Sequence, residues 1–180
     1  MINRTRVVYA GLLLAVALPI SLWLISVNRE VNRVEGVIER LRGRGVAVRI
    51  AAGVGFVPRP TKATYGLDSK LRPMADTPAR FTDDDVTDLN ALPTITAVSF
   101  HGVVVDREVV ASLRRLQHLT YLELEKGAIK ERQFVALAQL PKLRILTLQY
   151  ISVEAEAIEA LRALRPDVEV QVRAFVVKSK

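Results

Sequence analysis

Two histidines, His101 and His118, and no cysteine make up all the imidazole and thiol chemistry of this 180-residue chain. The missing thiols exclude a disulfide framework, a thiolate metal site and a cysteine nucleophile. Two histidines are also too few for a His-rich metal centre. His101 lies in phase with Glu125 but is read as an ordinary surface histidine, not half of a catalytic dyad, and His118 is read the same way in a turn. The run Asp83-Asp84-Asp85 offers calcium ligands by type, but no glycine-centred loop with a bidentate glutamate follows it. It fits better as the first turn of a helix capped by Thr82, where the helix dipole favours negative charge. Asp106 reads as a second cap of this kind. Gly53-Val54-Gly55 lacks the third glycine of a dinucleotide loop, and the phosphate-binding, nucleophile-elbow and zinc-protease motifs are missing. The chain is therefore expected to be non-catalytic, without metal or cofactor.

The remaining candidates are binding residues, and a repeat positions them. Leu92, Leu116, Leu140 and Leu164 recur every 24 residues, as do Val98, Leu122, Leu146 and Val170, and Phe100, Leu124, Leu148 and Val172. Further columns hold Ile95, Leu119 and Leu143; Phe81, Val105, Ile129 and Val153; Val86, Val110, Phe134 and Ile158; and Leu89, Leu113, Leu137 and Leu161. Each unit runs from helical spacing, as in Leu113-x-x-Leu116, to the two-residue alternation of a strand, as in Leu122-x-Leu124. Units this short bury their apolar faces only by stacking into a continuous core. The strand positions between the core residues then point outward in three rows: Ala97, Tyr121, Ile145 and Glu169; Ser99, Glu123, Thr147 and Gln171; His101, Glu125, Gln149 and Arg173. Tyr121 and Ile145 beside Glu123 and Glu125, with His101, Gln149 and Arg173, suit a protein contact, since aromatic anchors beside polar groups are common at interfaces.

Leu116-x-x-Leu119-x-x-Leu122-x-Leu124 and Leu140-Pro141-x-Leu143-x-x-Leu146-x-Leu148 resemble bacterial leucine-rich repeats whose units end in an Ile-Thr-Asp turn. Phe81-Thr82-Asp83 and Val105-Asp106 are the nearest matches to that turn, and Leu164 to Val170 is similar to the family's terminal cap. The family's usual Asn or Cys after the strand is replaced by Val103, Gly127 and Ile151. The resemblance covers residues 81–173. It implies an α/β leucine-rich-repeat solenoid, with parallel strands on the concave side and helices on the convex side, that acts as a protein–protein interaction module.

The first half of the chain differs in charge and apolarity. Residues 1–80 carry 13 Lys/Arg against 5 Asp/Glu, whereas residues 81–180 carry 13 against 14, so the net +7 resides in the first half. Residues 7–27 form an uncharged run of 21 residues. As a helix it measures about 31 Å, a bilayer's hydrocarbon thickness. Arg4 and Arg6 precede it, and Tyr9 and Trp23 lie toward its ends. An uncleaved single-pass signal-anchor is expected, with the repeat domain outside the cytoplasm; cleavage after Ala15-Val16-Ala17 would instead give a secreted protein. Val27, Val31, Val34, Ile38 and Leu41 form a seam on a continuing helix. The seam offers a dimer contact over residues 27–41, or packs on the folded domain. Val46–Ile50 alternates like an edge strand. The Pro- and Gly-bearing stretch 51–80 reads as a linker, with a short strand at Gly53–Val57. The expected organisation is a tip and anchor over 1–27, a juxtamembrane helix over 28–45, an edge strand and linker over 46–80, the repeat domain over 81–173 and a tail over 174–180. The basic residues of 29–80 could meet anionic lipid. With few aromatics for stacking, nucleic acid is the weaker alternative.

Overall fold

The computed structural model describes residues 4–51, 59–66, 81–151 and 153–173, with the side chains of residues 4–17 excepted. The expected strand at Gly53–Val57 and the tail from residue 174 lie outside the described residues. Helix α1 (Arg4–Gly43) leads into strand β1 (Ala47–Ala51), which forms a hairpin with β2 (Arg59–Tyr65). Four helix-and-strand passages follow: α2 (Asp83–Asn90) and β3 (Ala97–His101); β4 (Val104–Val105), α3 (Arg107–Leu113) and β5 (Tyr121–Glu125); β6 (Ala128–Ile129), α4 (Glu131–Ala136) and β7 (Ile145–Gln149); and α5 (Ala155–Leu164) with β8 (Glu169–Arg173). A 3-10 turn over Leu137–Gln139 follows α4.

The main sheet has the order β1-β2-β3-β5-β7-β8, antiparallel only between β1 and β2. The repeat appears directly as register: Val98 pairs with Leu122, Leu122 with Leu146, and Leu146 with Val170. These four are buried, as are Phe100, Leu124 and Leu148 and the helix positions Leu89, Leu113, Leu137 and Leu161. The core thus lies between the sheet and one helical layer. Entry to each strand is tied to its neighbour in the same way. The Thr120 amide donates to the Thr96 carbonyl at 2.8 Å, Arg144 to Thr120 at 2.8 Å and Glu169 to Arg144 at 2.8 Å.

Helix starts follow the side-chain signals. Thr82 caps α2 in a reciprocal box with Asp85, and Asp106 caps α3 through the Val109 amide. Strand exits need the left-handed backbone. Gly102, Lys126 and Tyr150 have φ of 67°, 50° and 53°, so two side chains occupy a conformation that favours glycine. Gly66 closes β2 so near β3 that a Cβ would lie 1.9 Å from the His101 carbonyl oxygen.

Several expectations require correction. The leucine-rich-repeat solenoid gives way to a mixed α/β fold with a mostly parallel sheet. The sheet opens on an antiparallel hairpin outside the 24-residue phase, the helical limbs range from 6 to 10 residues, and the described residues do not show a solenoid. Leu164, aligned with buried leucines by the period, is 60% exposed; it is the last residue of α5, whereas Leu92, Leu116 and Leu140 lie past the ends of their helices and are buried.

The single-pass anchor over 7–27, its signal-anchor orientation and the placement of the domain outside the cytoplasm are corrected as well. Among the described residues no helix is long and apolar enough to cross a membrane. Helix α1 continues through charged turns to Gly43 without a break at residue 27.

The seam on α1 is used within the chain. Val34, Val37, Ile38 and Leu41 are buried against the domain, whereas Val27 and Val31 are only partly covered.

Candidate functional site

Alternation along each strand places the seven candidate residues on one face of the sheet, opposite the buried leucines. Tyr121 pairs with Ile145, Glu123 with Thr147, Glu125 with both His101 and Gln149, and Gln149 with Arg173. Tyr121, Ile145 and Gln149 are partly exposed, and Arg173 is exposed. Glu123 is not the free surface carboxylate expected from alternation alone. Its side chain is 14% exposed, and its Oε2 accepts from Lys62 Nζ at 2.5 Å and from the Ser99 hydroxyl at 3.0 Å. Burial opposes ionisation of Glu123. Lys62, with smaller help from Ser99 and Arg173, outweighs burial and holds the pKa below the ordinary carboxylate value.

His101 Nδ1 lies 3.2 Å from Glu125 Oε2, yet it is buried and makes no aligned hydrogen bond. Glu125 also has Lys126 Nζ at 3.7 Å, and that ammonium sits 5.8 Å from the centre of the exposed Tyr150 ring. Lys62 Nζ lies 5.7 Å from the centre of the Tyr121 ring. Glu123, Lys62 and Tyr121 thus form one connected group. His118 stands apart at the turn before β5, beside Asn90 and Leu116 rather than on this face.

An open groove of about 900 Å³ runs from this group to the start of the sheet. It is lined by Lys62 and Thr64 of β2, Ser99 of β3, Glu123 and Glu125 of β5, the chain from Gly45 to Arg49, and Glu39 and Arg42 of α1. The small side chains on β2 and β3 account for the hollow: Thr64 pairs with Ser99 and Ala97 with Lys62. The groove depends on β2, a strand that sequence reading placed inside a linker. Pro58 and Pro60 suggested a loop, but the alternation was legible: Ala63 and Tyr65 are fully buried, while Lys62 and Thr64 line the groove.

The basic residues at the end of α1 and just past it, part of the stretch 29–80 read as able to meet anionic lipid, are largely engaged within the chain. Arg44 Nε donates to Asp85 at 2.7 Å and its Nη2 to Asp88 at 2.6 Å, while Arg40 Nη2 reaches Asp88 at 2.8 Å. Asp85 is 1% and Asp88 8% exposed, so this cluster clamps α1 onto α2. Burial disfavours the charge on Asp88, but Arg40 and Arg44 outweigh it and lower the pKa. Arg33 bonds Glu30 and the Ala91 carbonyl, and Arg42 bonds Glu39. The acidic triplet therefore has two duties: Asp83–Asp85 meet the helix dipole, and Asp85 also anchors an arginine 41 residues earlier in the chain. The Tyr65 ring meets Phe81 edge to face at 5.2 Å and lies tilted against Phe100 at 5.3 Å, beneath this clamp. Its buried hydroxyl has no hydrogen-bond partner, and burial first, then the Asp85 charge, pushes its pKa well above the ordinary phenol value.

Among the described residues no cluster of His, Asp and Glu could hold a metal ion. The chain matches no protein-family model, no curated protein and no solved structure.

Proposed function

We propose that this chain is a non-catalytic protein-interaction module whose contact surface is the polar sheet face and its groove. The observation that carries this reading is the join between the Tyr121–Ile145 pair and the open groove through the Lys62–Glu123 ion pair. A partly exposed aromatic anchor beside fixed charges matches the composition of interface centres. The charges themselves support binding over chemistry. Lys62 and Ser99 hold Glu123 in its ionised form, which leaves it no proton to donate and one oxygen already committed within the chain.

A photocrosslinking amino acid tests the assignment. It is placed at Tyr121, and in a second variant at Ala160, which is exposed on α5 in the opposite layer. A discrete adduct with a partner protein from position 121 and none from position 160 is the expected result. Equal labelling from both positions, or no adduct from either, overturns the reading.

A further inference from the structure

The groove ends on a strand edge. Among the described residues the six-stranded sheet stops at β1, which pairs only with β2. A terminal strand presents a row of unpaired N–H and C=O groups, a template for another extended segment. Exposure rises along β1 toward Ile50, which is 42% exposed, and Ala51. The groove wall is made of consecutive residues from Gly45 to Arg49. Of these, Ala47, Val48 and Arg49 belong to β1, and Arg49 shares a cross-strand position with Lys62.

Charge selects the kind of segment that fits. Lys62 and Arg42, the other basic lining groups, are held by Glu123 and Glu39. Arg49 is exposed and has no side-chain hydrogen bond or ion pair among the described residues. It stands opposite Lys62 in the hairpin, and among the described lining residues it is the basic group left without a carboxylate partner. A second copy of β1 fits poorly. Antiparallel self-pairing about its central residue sets Arg49 against Arg49, and like charges directly opposite are destabilising.

We propose that β1 accepts an extended acidic segment of a partner protein as an added strand, with main-chain pairing along residues 47–51 and a carboxylate at Arg49. This inference rests on the protein-binding reading above and specifies the chemistry of the partner segment.

The test uses the full-length protein in a mild non-ionic detergent, since the exposed apolar side chains of 18–25 would otherwise drive association. Fluorescence anisotropy compares labelled short peptides that alternate Val or Thr with Glu against the same peptides carrying Lys. The Glu peptides bind and the Lys peptides do not; Arg49→Glu reverses the preference; and N-methylation of alternate backbone amides in the best Glu peptide weakens it about tenfold or more. Failure of every Glu peptide to bind better than its Lys counterpart overturns the proposal. So does undiminished binding of the N-methylated peptide, or sedimentation showing a self-associated chain that excludes the peptide. If Tyr121→Ala abolishes peptide binding while Arg49→Glu and N-methylation do not, the edge-strand proposal fails and the sheet-face reading stands. If peptides bind through Arg49 while crosslinking from Tyr121 yields nothing, the edge proposal stands and the sheet-face surface fails.

Discussion

Lys62 Nζ lies 2.5 Å from Glu123 Oε2, although the two residues are on β2 and β5 with β3 between them. The pair arches over Ser99, whose hydroxyl donates to the same carboxylate oxygen. A lysine from outside the 24-residue phase is thus bonded to a glutamate within it, and the hairpin is tied to the parallel strands.

The first prediction follows from that tie. Sequence alternation alone would rate Glu123→Ala as an exposed change worth less than about 0.5 kcal/mol. The ion pair and hydrogen bond raise the expected loss above that, and a Lys62→Met, Glu123→Gln double-mutant cycle should show coupling on the order of 1 kcal/mol. The pH dependence has a definite sign. The folded-state pKa of Glu123 is lowered, so its contribution is present above the ordinary value of 4.5 and is lost as pH falls through the folded value. Urea midpoints at neutral and acid pH measure both effects. Additive single mutants, or wild type and Glu123→Gln losing stability equally on acidification, would remove the pair from the account of stability.

The clamp between α1 and α2 is the second prediction. Arg44→Ala leaves Asp85 and Asp88 buried with one partner fewer. Asp85 keeps the Thr82 amide and hydroxyl, and Asp88 keeps Arg40, so the loss is expected near 2 kcal/mol rather than the larger value for a fully orphaned charge. Arg42→Ala, whose exposed partner is Glu39 on the same helix, should change stability by less than about 0.5 kcal/mol. Denaturant midpoints that rank Arg42→Ala with Arg44→Ala would contradict the clamp.

Much of the layer arrangement could be read from the residues, because inward positions recur with a fixed period and burial follows apolarity. Val98, Leu122, Leu146 and Val170 align in sequence and pair in the sheet. What escaped were interactions that no period encodes. Arg40 and Arg44 looked like free surface charge because their carboxylates lie more than forty residues away in sequence. Lys62 was hidden by nearby prolines, although Pro60 sits at the register irregularity of the hairpin, before β2 begins to pair with β3 at Lys62. The seven candidate residues lie at alternating strand positions in register, yet Glu123 and His101 are far less exposed than alternation implies. The groove they border is lined by Thr64, which lay inside the stretch read as a linker, and by Ser99, which stood in the outward row with Glu123 but was not singled out.

The third prediction separates sequence phase from structure. Leu122→Ala and Leu146→Ala remove fully buried side chains and should each destabilise the fold by about 2–5 kcal/mol. Leu164 shares the period of Leu92, Leu116 and Leu140 but is mostly exposed, so Leu164→Ala should cost less than about 0.5 kcal/mol. A shift at Leu164 as large as that at Leu122 would mean that the period, not the observed packing, describes the last unit.

The last prediction concerns the backbone at the strand exits. Lys126 holds φ at 50°, where a Cβ crowds the backbone and costs roughly 1–2 kcal/mol relative to the right-handed conformation. Glycine already occupies the equivalent exit at Gly102. Lys126→Gly therefore relieves strain, while it gives up the weak contacts of an exposed ammonium with Glu125 and Tyr150. It also makes the unfolded chain more flexible, which opposes the gain. The expected balance is stabilisation of up to about 1 kcal/mol. The reverse change at the hairpin must go the other way: Gly66→Ala combines φ of 84° with a Cβ directed into the His101 carbonyl, and should destabilise by more than about 1 kcal/mol. Thermal melts of both variants decide the matter. A destabilised Lys126→Gly would show that the side-chain contacts outweigh the backbone strain, and an unchanged Gly66→Ala would show that β2 and β3 can separate without loss.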